Sequence, residues 1–229
     1  NSLCLNERNL KGDMEKALGR EVRMANDANC FTLSEAIDGA GKGHDVVFGV
    51  ILGTGVGGGL VMGGRAREGL HGIAGEWGHN PLPWPTVISS IDERPGPKCY
   101  CGREGCIETF LSGPGLAGDH ERATRRTMDA AEIIKRASAH HGDAKATLDR
   151  YEGRLARALA SVINLLDPDV IVLGGGLSCI ERLYQSVPEL WQTWVFSDRV
   201  DTLLKRNEHG PASGVRGAAW LWQVDEITG

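Results

Sequence analysis

His79, Cys99, Cys101 and Cys106 carry the most chemistry in their spacing. Three thiols fall within eight positions, in Cys99-Tyr100-Cys101-Gly102-Arg103-Glu104-Gly105-Cys106, and a histidine stands upstream in Gly78-His79-Asn80-Pro81. Three thiolates and one imidazole are a standard closed donor set for zinc, which takes four such ligands in a tetrahedron. Gly102 and Gly105 let the chain turn so that Cys101 and Cys106 face one point. Three buried or disulfide-forming cysteines are the alternative. The other cysteines, Cys4, Cys30 and Cys179, are scattered singly, unlike a secreted disulfide framework. In a reducing compartment such a cluster more often means metal than disulfide. Glu76 and Glu108 stand beside the expected ligands, so a metal here would brace a reactive site.

Glycine supplies the second signal. The stretch Gly53-Thr54-Gly55-Val56-Gly57-Gly58-Gly59 follows the apolar run 46–52 and precedes Leu60-Val61-Met62. A strand, not a helix, is expected next, which excludes a dinucleotide fingerprint. Glycine N–H groups in such a turn can converge on a phosphate, and Thr54 adds a hydroxyl. A plain tight hairpin is the alternative. A second triplet, Gly174-Gly175-Gly176 before Leu177, follows the apolar run 170–173. Glycine there admits a flat group close to the backbone. Two glycine turns after two strands point to one nucleotide held between them. Gly39-Ala40-Gly41-Lys42-Gly43 lacks the Ser or Thr and the earlier glycine of a P-loop, and is expected to be a solvated loop. Asp27, in Ala25-Asn26-Asp27-Ala28-Asn29, sits at an expected strand-to-helix junction. It can cap the helix, or it can be a base aimed into a cleft at a strand end.

The elements that must position these residues alternate. A helix is expected over 9–18, closed by Gly19, then a short strand over 21–25 and a helix to about Asp38. The run 46–52 is a central strand, and 60–62 returns as its hairpin partner. Residues 65–97 form a long loop with five of the nine prolines, and loops of that length are functional or mobile. Helices are expected over 107–111, 116–123 and 130–139. Leu148, Tyr151, Leu155, Leu159, Val162 and Leu166 step along one helix face that ends at Asp167-Pro168. A buried strand over 170–173, a helix over 180–194, an edge strand over 203–205 and a last helix from Ser213 to Trp222 complete an α/β pattern.

The chain has 229 residues, 41% hydrophobic, with net charge -5. That charge argues against a nucleic-acid surface. No apolar run approaches the ~18 residues of a membrane span, and the first residues do not read as a signal peptide. A cytoplasmic location is the default expectation. The 32 glycines are about twice the ordinary ~7%.

These motifs together resemble the ROK family of repressors, open reading frames and sugar kinases. The resemblance spans 21–222 and rests on Asn26-Asp27-Ala28-Asn29, on the 53–59 glycines, on Glu76-x-Gly78-His79 and on Cys99-x-Cys101-Gly102-x-x-Gly105-Cys106-x-Glu108. It implies the actin-like, hexokinase-like (ribonuclease H-like) ATPase fold. It implies ATP with Mg²⁺, structural Zn²⁺, a hexose substrate, no nucleic acid or membrane partner, and a homodimer. Asp27 would be the catalytic base. Asn26, Asp27, Glu76, His79 and Glu108 would hold the sugar. Gly53, Thr54, Gly55, Val56, Gly57, Gly58, Gly59 and Leu60 would contact the ATP phosphates. Gly174, Gly175, Gly176 and Leu177 would contact the adenosine. His79, Cys99, Cys101 and Cys106 would bind zinc. The wording at 25–31, 79–84 and 214–222 is similar to the bacterial fructokinase, or manno(fructo)kinase, branch, which implies conversion of fructose to fructose 6-phosphate. Glucose, N-acetylglucosamine and a sugar-responsive repressor are the alternatives. The family's first phosphate loop, Asp-x-Gly-Gly-Thr-Lys, does not occur here. The expectation is therefore that residues 1–25 end a first domain or linker, that 26–229 form the C-terminal kinase domain with a zinc loop at 79–108, and that 1–229 alone is inactive.

Overall fold

The computed structural model describes residues 8–88 and 90–222. Its centre is a five-stranded sheet of Val46–Leu52 (β1), Val56–Met62 (β2), Arg65–Ala66 (β3), Val170–Gly174 (β6) and Leu203–Arg206 (β7). A separate hairpin joins Val87–Ile88 (β4) and Ile91–Asp92 (β5). The large sheet runs β3-β2-β1-β6-β7, antiparallel on the β2 side of β1 and parallel on the β6 side. The helices are Leu10–Leu18 (α1), Asp27–Asp38 (α2), Glu108–Leu111 (α3), Gly113–Thr124 (α4), Ala130–Ser138 (α5), Gly142–Leu166 (α6), Leu183–Trp191 (α7) and Ser213–Ala219 (α8).

Strands covered on both faces read as unbroken apolar runs rather than alternating ones. Phe48, Val50, Leu52, Ile171 and Leu173 face the larger core, with Leu148, Leu155 and Leu159 of α6. Val47, Val61, Val170 and Val172 face the other, with Phe31 and Leu33 of α2. Each fully buried Leu or Val contributes about 1.5–3 kcal/mol. The periodic face at 148–166 is α6, and it stops at Asp167, whose φ of 44° turns the chain before Pro168.

Several expectations are corrected. Residues 21–25 form no strand. Instead Val22 N–H donates to Glu15 Oε1 of α1 at 3.1 Å. The glycine turn is shorter than expected, because β2 starts at Val56 and takes in Gly57, Gly58 and Gly59. Packing requires glycine there: a Cβ on Gly59 would stand 2.5 Å from Thr32 Oγ1 and from the Ala28 carbonyl oxygen, so its absence lets α2 lie directly on β2. The helix expected over 180–194 covers only Leu183–Trp191, and the last helix stops at Ala219. Gly39 and Gly41 are buried against Glu35 and Val47, not solvated. Cys4 lies outside the described residues.

The loop 65–97 is clamped. Glu93 is buried, and its Oε1 accepts from Arg154 Nε at 2.8 Å and Arg157 Nη2 at 2.7 Å, both on α6. Its Oε2 accepts from Thr86 N–H at 2.9 Å. Arg154 also reaches Asp119 of α4 at 2.8 Å. Burial raises the Glu93 pKa, but the hydrogen bonds from Arg157, Thr86 and Arg154 outweigh it and hold the carboxyl below its ordinary range.

Candidate active site

Asn26, Asp27, Glu76, His79 and Glu108 meet around one open cavity of about 380 Å³, together with Tyr100 and residues 53–58 of the glycine turn and the start of β2. Three chain segments bring them there. The first is the start of α2, where Asn26 Oδ1 caps the helix by accepting from Ala28 N–H at 2.8 Å. Asp27 Oδ1 accepts from the same N–H at 2.9 Å. Capping therefore does not depend on Asp27, and its Oδ2 carries no hydrogen bond to another described residue.

The second segment is the 3₁₀ turn Trp77–His79. Trp77 is buried edge-on against Phe48 of β1, with ring centroids 5.9 Å apart, and its Nε1 donates to the Gly57 carbonyl at 3.1 Å. That anchor sets Glu76 and His79 on either side of it at the cavity wall.

The third segment is the cysteine loop. Pro81 pairs with Cys106 and Lys98 with Glu104 as isolated bridges, and Ile107 N–H donates to the Asn80 carbonyl at 2.9 Å. The donor atoms of His79, Cys99, Cys101 and Cys106 lie within 4.8 Å of one another. Cys99 Sγ stands 3.6 Å from His79 Nδ1, and Cys101 Sγ stands 3.6 Å from Cys106 Sγ. Zn–S bonds of about 2.3 Å in a tetrahedron place neighbouring ligands roughly 3.8 Å apart, so these residues fit zinc. Burial and then the neighbouring thiols push Cys106 up to about 12, while the Arg103 backbone N–H pulls Cys101 down. Several thiolates this close are favourable together only when a cation joins them.

Two contacts were not foreseen from the sequence. His79 Nε2 lies 2.9 Å from Tyr100 Oη, with the rings edge to face at 5.1 Å. Desolvation and the charges of Glu108, Cys99 and Glu76 push the Tyr100 phenol above its ordinary range. Glu108, the first residue of α3, accepts from Val56 N–H through Oε2 at 2.9 Å. A Cβ on Gly55 would stand 2.7 Å from that same oxygen.

A second, larger cavity of about 640 Å³ adjoins the first, and Gly53 and Thr54 line both. Gly176 and Leu177 line it as well. Gly59, Leu60, Gly174 and Gly175 line neither cavity. Gly174 serves packing, since a Cβ there would stand 2.5 Å from Phe31 Cε2. The far wall was missed: Gly113, Pro114 and Ala117 of α4, Asp129, and Ala130 and Ile134 of α5. The run Ser112-Gly113-Pro114-Gly115 is the signal that could have found it. Ser112 Oγ caps α4 by accepting from Gly115 N–H at 3.1 Å, and Gly113 N–H donates to the Gly53 carbonyl at 2.8 Å. The glycine turn and α4 are therefore joined directly.

Among the described residues no helix is long and apolar enough to cross a membrane. The model of the ROK family matches residues 1–225. The chain is 41% identical over 216 residues to an N-acetyl-D-glucosamine kinase of Pectobacterium carotovorum, covering 94% of this chain and 71% of that one. Its fold matches the ROK hexokinase from Thermus thermophilus with a TM-score of 0.82 and 32% identity, over 96% of this chain and 70% of that one. It also matches a ROK family glucokinase from Streptomyces griseus, solved with glucose and AMPPNP, with a TM-score of 0.76 and 29% identity over 93% and 71%. With its hexokinase-like, actin-like ATPase fold and this family match over nearly the whole sequence, the chain belongs to the ROK family.

Proposed function

We propose that the protein is an ATP-dependent kinase that phosphorylates a hydroxyl of a hexose or of its 2-acetamido derivative. The observation that carries this reading is the pair of adjoining cavities that share Gly53 and Thr54. The polar cavity holds carboxylates and an amide suited to hydroxyl groups, with Asp27 on its wall. The larger cavity is lined largely by small and apolar residues, as suits a flat base. A hydroxyl in the first and a triphosphate from the second would meet at Thr54. N-acetylglucosamine is the first choice of sugar, because the Pectobacterium relative is a kinase of that sugar. Fructose comes second, on the wording of residues 25–31, 79–84 and 214–222.

Asp27 acts as general base. Oδ1 is steadied by Ala28 N–H, and Oδ2 takes the proton of the attacking hydroxyl. Such help contributes about 10²–10⁴-fold. The turn at 53–55 offers the Thr54 and Gly55 N–H groups and the Thr54 hydroxyl to the phosphates, while the Gly53 and Val56 N–H groups are given to the Gly55 carbonyl and to Glu108 Oε2; the rest of the task is positioning and charge neutralisation. Mg²⁺ would arrive with ATP, held mainly through phosphates and water. Zinc at His79, Cys99, Cys101 and Cys106 would leave no open position for water, so its chemistry there is structural: it fixes the loop that carries Glu108 and Tyr100. A polypeptide confined to 1–229 offers a single phosphate turn and is proposed to be inactive by itself. A repressor reading is less favoured, because Asp27 and the glycine turn both face the cavity. The deciding experiment measures ATP-dependent phosphorylation by the full protein with N-acetylglucosamine, fructose, mannose and glucose side by side. Turnover of at least one sugar supports the proposal, and turnover of none contradicts it.

A further inference from the structure

The two cavities that meet at Thr54 have Asp27, Glu76, Glu108 and Asp129 in their walls, and no lysine or arginine. A phosphoryl group in transfer needs positive charge near its oxygens. A third cavity, of about 280 Å³, supplies it. This cavity shares Thr54 with both of the others and is lined by Lys98, Arg122, Thr109 and Ser112. Lys98 is exposed and has no ion-pair partner among the described residues. Arg122 folds back along α4, where Gly118 leaves it room: a Cβ there would stand 3.3 Å from Arg122 Nη1. Its carboxylate partner is shared. Asp119 receives Arg150 Nη2 at 2.7 Å and Arg154 Nη1 at 2.8 Å, but Arg122 Nη2 only at 3.7 Å. Arg154 and Arg157 share Glu93 in turn. Four arginines therefore face two carboxylates, and of the four it is Arg122 that lines the cavity. The backbone at the start of α4 adds nothing: Gly113 N–H goes to the Gly53 carbonyl, Gly115 N–H goes to Ser112 Oγ, and Pro114 has no N–H. Ser112 is buried, and its hydroxyl proton goes to no other described residue.

We infer that this third cavity is a phosphate site, in which Lys98 and Arg122 hold a phosphate dianion and the Thr54 and Ser112 hydroxyls donate to it. The inference rests on the kinase proposal for the origin of its occupant. The cavity opens where hydroxyl and triphosphate would meet, so the phosphoryl group of a newly made sugar phosphate turns into it. Free inorganic phosphate has the same chemistry and fits the same donors. A guanidinium presents two parallel N–H groups to one phosphate, and such charge-assisted bonds are the strong ones. Glu108 also lines the cavity, but its Oε2 is engaged by Val56 N–H. The product is then held through its sugar and its phosphate at once, and it inhibits the reaction that makes it.

The probe is inorganic phosphate, titrated calorimetrically into the full protein at low ionic strength without nucleotide. Arg122→Met keeps much of the side-chain length and removes the charge. Its Kd for phosphate should rise about 10-fold, the value of one charge-assisted hydrogen bond. Lys98→Met should raise it about 2- to 5-fold, as for an exposed pair. Arg122→Lys keeps the charge and should recover part of the affinity. The melting temperature should change little, because Arg122 is partly exposed and stands 3.7 Å from Asp119. Wild-type protein that binds no phosphate at millimolar concentration overturns the inference, and so does an unchanged Kd in folded Arg122→Met. The same variants are then titrated with the phosphorylated form of the sugar that the protein turns over best. Weaker binding of both ligands supports the site with the product's phosphoryl group as its occupant. Weaker binding of inorganic phosphate alone supports it with free phosphate as its occupant and overturns the product inhibition. Failure of the wild-type protein to phosphorylate any sugar overturns the kinase proposal, whereas the inorganic phosphate titration still decides the site by itself.

Discussion

The Glu108 carboxylate accepts a hydrogen bond from Val56 N–H at 2.9 Å, and this bond ties the cysteine loop to the glycine turn. Glu108 follows the last cysteine of the cluster by two positions, and Val56 is the first residue of β2. The group expected to meet sugar and the backbone expected to meet phosphate are therefore one hydrogen bond apart. Gly55 leaves the space this requires, because a Cβ there would stand 2.7 Å from Glu108 Oε2.

Gly55→Ala should therefore displace the carboxylate without unfolding the protein. A hydrogen bond to a charged group contributes about 1.5–3 kcal/mol, so kcat/KM should fall roughly 10- to 100-fold. Steady-state kinetics together with a melting curve check this. Unchanged kinetics would show that Glu108 is not held by the turn.

The donor set of His79, Cys99, Cys101 and Cys106 predicts one zinc per chain in protein purified without added metal, measurable by elemental analysis. Cys101→Ser should lose the zinc and lower the melting temperature, because structural zinc contributes directly to folding. Full activity in metal-free protein would exclude this role.

Glu93 predicts a pH dependence. Its folded pKa lies below the unfolded value of about 4.3. The stabilisation is fully present above that value and is lost as pH falls through the folded pKa. Removing one partner of a buried pair costs about 3–5 kcal/mol, so Glu93→Gln should lower stability at pH 7 by about that amount. The gap to wild type should narrow below about pH 4. Urea midpoints at pH 7 and at acid pH measure both, and a gap that does not depend on pH would contradict the ion-pair account.

Glu35 knits α2 to the segment before α8. It is buried and accepts from Ala40 N–H, Glu208 N–H, His209 N–H and Ser213 Oγ. Glu35→Ala would leave these donors without their acceptor, and the fold should lose about 3 kcal/mol or more, readable by urea unfolding.

The parts of this molecule legible in the sequence are those set by local rules. The continuous apolar runs at 46–52 and 170–173 read as strands from their length and composition, and the structure covers them on both faces. The 148–166 periodicity could only be a helix with one buried stripe. The cysteine spacing implied convergence that the loop achieves. The unread parts depend on tertiary packing. Gly174 reads as a nucleotide contact in sequence, and only the packing of α2 on the sheet shows that a Cβ there would also meet Phe31. The α4 and α5 walls of the larger cavity come from helices whose sequence says nothing of where they dock. Spacing likewise gives no direction to the Tyr100 ring, so its bond to His79 was invisible. Glu93 carries no signal in the sequence, because its partners lie on α6, more than sixty positions away.

The central claim is that Asp27 takes a proton from a sugar hydroxyl, and Asp27→Asn tests it most directly. Asn26 holds the helix cap and an asparagine at position 27 can still accept from Ala28 N–H, so the fold should be preserved. In the full protein, with the sugar it phosphorylates best, kcat should fall by about 10²-fold or more while the KM for ATP stays nearly the same. A variant that folds normally and keeps a near-normal kcat would show that Asp27 is not the base.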